Sequence, residues 1–139
     1  RVVLSRGLDL PAEAQLWETA SAATLVAHGP EAAGKQAPNG PERLELEQCE
    51  PLPLMRHLAA RGCNQVLWEC GPELAAAAIR QGCVQEVAAV LAPKLMGGTA
   101  ARTPLGELDF TAMDQVLSGE WQPPRPIGDD WLLSLRLGG

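Results

Sequence analysis

The sequence predicts an α/β fold whose sheet is parallel for most of its length, flanked by helices, with an antiparallel C-terminal strand pair. Three observations lead there. β-rich runs alternate with short helical patterns through most of the chain, the arrangement that builds a parallel sheet. Val84 to Leu91 is a near-continuous apolar run, as in a strand covered on both faces. The tail carries two more runs, Ala112 to Leu117 and Trp131 to Leu137, separated by a loop through Pro123, Pro124 and Pro126. Those two runs suit an antiparallel pair at a sheet edge.

The elements follow in order. Val2 to Leu4 is a short strand ended by Ser5-Arg6-Gly7, and Leu10 to Ala14 starts a short helix with Pro11 in its first turn. Ala23 to Ala27 is a second strand, closed by His28-Gly29-Pro30. Residues 30–43 hold three Pro and two Gly and read as an exposed loop. Leu44 to Cys49 alternates as a third strand, and Pro51 to Ala60 is a helix with Leu54, Met55 and Leu58 at helical spacing. Arg61-Gly62 is its C-cap. Gln65 to Cys70 is a strand running into Gly71-Pro72, and Glu73 to Gln81 is an alanine-rich helix capped by Gly82. Val84 to Leu91 then leaves as a loop at Pro93-Lys94-Leu95-Met96-Gly97-Gly98.

A length of 139 residues suits one domain, large enough to bury roughly 68% of the surface of its unfolded chain. With an aromatic fraction of 4%, Ala, Leu and Val must form most of the core. The net charge of −6 and the scattering of 11 Lys and Arg argue against nucleic-acid binding. No apolar run approaches the ~20 residues of a membrane helix. Cys49, Cys63, Cys70 and Cys83 lack the paired spacing of a zinc site. Reduced thiols are expected, which points to the cytosol.

Four segments could carry chemistry. Val66 to Leu74 has the form of an anion site: a strand end, a glycine, a proline at the first helical position, and free amides behind them. The same pattern also serves as an ordinary strand–helix turn, with Ala75, Ala76, Ala77 and Ala78 kept small for packing. Glu69 ends an apolar strand, where a carboxylate must be paired or solvated. It either points to solvent or accepts hydrogen bonds from a polar substrate ring. The Gly97-Gly98 pair could cradle a phosphate or make a turn, on one rim with the Gly71 turn. Arg6, beside Ser5, would suit the extra phosphate of NADPH or be a solvated charge. No nucleophile arrangement or metal cluster stands out, so borrowed cofactor chemistry is the simpler enzymatic reading.

Arg1-Val2-Val3-Leu4, Leu67-Trp68-Glu69-Cys70-Gly71-Pro72-Glu73-Leu74 and Leu91-Ala92-Pro93-Lys94-Leu95-Met96-Gly97-Gly98 resemble, in order and interval, the reductase domain of the bifunctional riboflavin biosynthesis deaminase–reductases. The resemblance runs over essentially the whole chain. It implies a dihydrofolate-reductase-like fold and NADPH-dependent reduction of the ribosyl chain of 5-amino-6-ribosylamino-uracil 5′-phosphate, a phosphorylated pyrimidine, to its ribityl form. It implies a substrate contact for Glu69 and a cofactor-phosphate turn and helix from Gly71 through Pro72, Glu73, Leu74, Ala75 and Ala76 to Ala77. Arg6 falls where the family commonly has a small hydroxyl residue near the cofactor, and Ser5 where it often has Asp.

On this resemblance, residues 1–139 are expected to form the C-terminal part of one reductase domain, with the domain's front and the deaminase domain absent. A homodimer or larger assembly is then expected, because the missing strands leave sheet edges open. Two alternatives stand beside an active reductase. One is a nucleotide-binding, dimerising module without turnover, and the other a related reductase acting on a pterin.

Overall fold

The computed structural model describes residues 1–95, 97 and 103–138. The chain divides into two compact units, Arg1–Val66 and Leu67–Gly139.

In the first unit, strands β1 (Val2–Leu4), β2 (Leu25–His28) and β3 (Glu42–Glu45) form a parallel sheet in that order. β2 is central, and all four of its residues are buried. Helix α1 (Pro51–Ala60) supplies Leu54 and Leu58 to a cluster with Leu25, Ala27 and Leu46, against which Leu4, Leu44 and Val66 pack. Pro51 starts the helix where a missing N–H costs nothing, and Gly62 ends it with a φ of +86° that a side chain would resist.

In the second unit, helix α2 (Pro72–Arg80) precedes a four-stranded antiparallel sheet. Its strands are β4 (Glu86–Leu91), β5 (Gly119–Trp121), β6 (Arg125–Ile127) and β7 (Asp130–Leu137). β7 is the hub and pairs with the other three. The turn between β6 and β7 has Gly128 at φ +60° in its first central position, as a tight two-residue hairpin favours. The register puts Val87, Ala89 and Leu91 opposite Leu135, Leu133 and Trp131, with Trp121 opposite Leu135. Directly paired residues share a face, so one side of this sheet is a continuous apolar row.

Parallel and antiparallel parts are both present, but several elements differ from expectation. Leu10 to Ala14 forms turns rather than a helix. Five residues cannot repay helix nucleation, and the only helical piece nearby is a 3₁₀ turn at Gln15–Trp17. The second strand runs to His28, and the third lies at Glu42–Glu45, because its ladder follows β2. Gln65 to Cys70 has no strand partner, although Val66, Trp68 and Cys70 are half-buried and Leu67 and Glu69 exposed, as a pleat would place them. β4 is not covered on both faces: Val90 and Leu91 are 62% and 59% exposed. Ala112 to Leu117 holds a 3₁₀ turn, and β5 pairs with β7 in its place. The proline-rich stretch contains β6, because Pro126 is tolerated on an edge strand.

Candidate functional site

Gly71 is the N-cap of α2, with φ −71° and ψ 169°. These angles are open to any residue, and a Cβ added there would meet nothing within 4 Å among the described residues. Among the described residues, neither backbone strain nor packing therefore requires glycine, and the space over the turn is open. Pro72 has no N–H, and the Ala75 N–H returns to the Gly71 carbonyl at 3.0 Å. That leaves the Glu73 and Leu74 amides without an acceptor among the described residues, in a position suited to an anion.

The residues behind this turn are small and progressively buried. Ala75 and Ala77 are half-buried, while Ala76 and Ala78 are essentially inaccessible. Glu73 is exposed in the first turn, where a carboxylate favours the helix dipole but competes with any other anion. A contact that the sequence does not announce closes one side of the turn. Gly106 donates to the Pro72 carbonyl at 3.0 Å, and a Cβ on Gly106 would lie 3.1 Å from that oxygen. A side chain at 106 would press against the backbone of the first turn of α2. Arg80, at the far end of α2, holds the same segment by bonding the Glu107 carbonyl and lying 3.4 Å from Asp109.

Glu69 is exposed, two residues before Gly71. Its neighbour Trp68 buries an indole Nε1–H that has no hydrogen-bond partner among the described residues, a costly state for a donor. Burial pushes the Cys70 thiol above its ordinary ionisation range, so it is a poor nucleophile. The pattern from Glu69 to Ala77 is therefore one contiguous structural unit. Because 65–70 is not a laddered strand, the expected rim of two strand ends is absent. Met96, Gly98, Thr99 and Ala100 lie outside the described residues, and with them half of the expected Gly97-Gly98 cradle.

Arg6 belongs to the first unit, in the turn after β1. Its side chain is largely exposed, with Nε 3.9 Å from Glu31 Oε1. Lys35 bonds the Gly7 carbonyl at 2.7 Å and the Asp9 carboxylate at 3.2 Å. Cys49 is buried and donates weakly to the Ala27 carbonyl. Desolvation pushes its thiol pKa up, with Arg6 acting against that and Glu31 and Glu50 with it. The Glu31 partner was not legible beforehand, since it arrives through a 3₁₀ turn at Pro30–Ala32 within a stretch read as loop.

Comparison with known proteins follows this architecture closely. The family described as the RibD C-terminal domain matches residues 1–130. Riboflavin biosynthesis protein RibD of Synechocystis is 50% identical over 144 aligned positions, covering 100% of this chain and 39% of that protein. Riboflavin biosynthesis protein PYRR of Arabidopsis thaliana, chloroplastic, is 35% identical, covering 96% of this chain and 23% of its own length. The chain thus spans well under half of these relatives. A solved structure of RibD from Acinetobacter baumannii superposes with a TM-score of 0.77 at 29% identity, over 99% of this chain and 37% of that one. These matches bear out the dihydrofolate-reductase-like architecture expected from the sequence. This chain belongs to the RibD C-terminal domain family.

Proposed function

We propose that this chain is the C-terminal part of the reductase domain of a riboflavin-pathway enzyme. It binds NADPH and serves the reduction of 5-amino-6-ribosylamino-uracil 5′-phosphate to its ribityl form. Family membership supports the pathway. The observation that carries the cofactor reading is the open space over Gly71 beside the Glu73 and Leu74 amides.

Each unit separately offers residues that suit a nucleotide's phosphates. Gly71 and Pro72 present the helix start, and Ala75, Ala76 and Ala77 keep the following turn low. Arg6 offers a guanidinium for the 2′-phosphate. When bound, NADPH supplies the hydride that the protein's own side chains cannot. Glu69, exposed and acceptor-only when ionised, accepts hydrogen bonds from the substrate ring. A reducing cytoplasmic setting is part of this reading and is supported by four free thiols. So is self-association through the second unit, supported by its exposed apolar row.

The test uses Gly71→Ala, which has no strain to relieve and no internal clash to make. Reducing unfolded-state entropy should leave the variant equal to or about 0.4–1 kcal/mol above the parent in stability. NADPH affinity should fall by about tenfold, roughly 1.4 kcal/mol. Unchanged affinity, measured by calorimetry on the folded variant, overturns the assignment of the turn. In the full-length enzyme, Glu69→Gln should lower turnover while stability stays within roughly 1 kcal/mol. Normal turnover removes Glu69 from the substrate site.

A further inference from the structure

Gly29 follows β2 directly, and nothing in its backbone asks for glycine. Its φ of −84° and ψ of 171° are available to any residue. A Cβ built there, however, would lie 2.1 Å from Glu31 Oε2 and 2.7 Å from Glu31 Cδ. The Glu31 carboxylate therefore occupies the space that a side chain at 29 would fill. The Gly29 N–H also donates to the Arg6 carbonyl at 2.9 Å, which sets residues 6 and 29 side by side beyond the ends of their strands. Folded back in this way, Glu31 brings Oε1 to 3.9 Å from Arg6 Nε. The two side chains are 48% and 69% exposed respectively, so an incoming anion can reach the guanidinium.

We propose that Glu31 is a specificity-determining residue for the cofactor's 2′-phosphate, held as a built-in competitor for Arg6 by the absence of a side chain at Gly29. The proposal rests on the reading of Arg6 as the 2′-phosphate contact. A phosphate dianion forms the stronger charge-assisted bond to a guanidinium, so it can displace the carboxylate. It must first separate Arg6 from Glu31 and then tolerate the nearby negative charge. A nucleotide without the 2′-phosphate meets neither cost. Glu31 accordingly narrows the gap between phosphorylated and unphosphorylated cofactors, and removing its charge widens it.

The probes are adenosine 2′,5′-bisphosphate and AMP, titrated calorimetrically into the 139-residue chain at low and high salt. Glu31→Gln should tighten the bisphosphate by about two- to fivefold at low salt, the range of an exposed ion pair, and leave AMP unchanged. The gain should shrink at high salt. Gly29→Ala should act in the same direction, because the new methyl forces the carboxylate out of its place. In an Arg6→Ala background both gains should vanish. If Arg6→Ala weakens the bisphosphate but Glu31→Gln has no effect, this proposal fails and the Arg6 reading stands. If Arg6→Ala changes nothing, or the bisphosphate does not bind, both fail. Thermal melts matching the parent establish that each exposed-site variant is folded.

Discussion

The two units dispose of their apolar residues in opposite ways. In Arg1–Val66, one helix seals one face of a three-stranded parallel sheet, and Leu25, Val26, Ala27, Leu54 and Leu58 are all buried. In Leu67–Gly139, the buried apolar residues among those described are small ones, Ala76, Ala78 and Cys83. Among the described residues, every large apolar side chain that stands exposed, apart from Val2 and Leu52, lies in this second unit. Composition does not explain the contrast, since both halves are rich in Leu and Val. Topology does. In the first unit α1 follows the last parallel strand and lays Leu54 and Leu58 against the sheet, whereas the antiparallel hairpins of the second unit close their ladders without a helix. The second unit can therefore complete its hydrogen bonding while its apolar row stays open.

Cavity-forming substitutions in the two units give the largest effect. Leu54→Ala, at 3% exposure, should cost about 2–5 kcal/mol in a denaturant or thermal unfolding experiment. Leu91→Ala, on the open row, should cost no more than about 0.5 kcal/mol in dilute solution. A comparable loss for Leu91→Ala would mean the row is covered in solution. Light scattering then sharpens the result. If a second copy covers the row, the mass should be dimeric or larger and the Leu91→Ala cost should grow with protein concentration. A monomeric mass at micromolar concentration would sink the self-association reading.

The same contrast explains which elements could be read from residue order. α1 was legible to the residue because its signals are local: Pro51 at the start, apolar positions 54, 55 and 58, and Gly62 just past the end. α2 was legible for the same reason, within a residue at each end. Gln65 to Cys70 was misread because apolar alternation encodes a pleat, not the strand that must lie beside it. β6 was missed because three prolines argue for a loop, while an edge position neutralises that objection for Pro126. At the candidate site, the Gly71-Pro72 helix start is a sequence-local feature and could be anticipated. The Glu31 carboxylate over Gly29 could not, since it depends on how a three-residue turn folds back on the strand end.

A smaller effect separates the thiols by burial. Burial raises the pKa of Cys49, Cys70 and Cys83 above the ordinary value of 9.0. A thiol whose folded pKa is raised keeps its proton above pH 9, while the unfolded chain loses it. The unfolded state then binds fewer protons, and stability falls as pH rises from about 9 toward the folded value. Thermal melts between pH 7 and 10 should show this decline, and it should be shallower in Cys49→Ala than in the parent. Alkylation sharpens the ordering: exposed Cys63 should react first, and buried Cys49 and Cys83 last. Equal labelling rates would show that burial does not protect these thiols.

The smallest effect distinguishes the ion pairs that tie down the two helix ends. In the first unit, Arg61 caps α1 and grips Glu42 of β3 with two parallel bonds, 2.9 Å and 3.0 Å. In the second, Arg80 approaches Asp109 through one contact of 3.4 Å and also bonds the Glu107 carbonyl. Both pairs are about half exposed on at least one side, so solvent screening limits each to about 1 kcal/mol at most. Geometry should decide within that limit. A forked guanidinium–carboxylate pair spends little entropy per bond, so Glu42→Gln should cost up to about 1 kcal/mol at low salt. Asp109→Asn preserves the short polar side chain that tolerates its φ of +60°, loses one long contact, and should cost less than about 0.3 kcal/mol. Raising the salt concentration should erase most of the difference, because it acts on the charge and not on the fork. If Asp109→Asn costs as much as Glu42→Gln at both salt concentrations, Asp109 is anchoring its turn by backbone conformation, and the contrast between a forked and a single contact is broken.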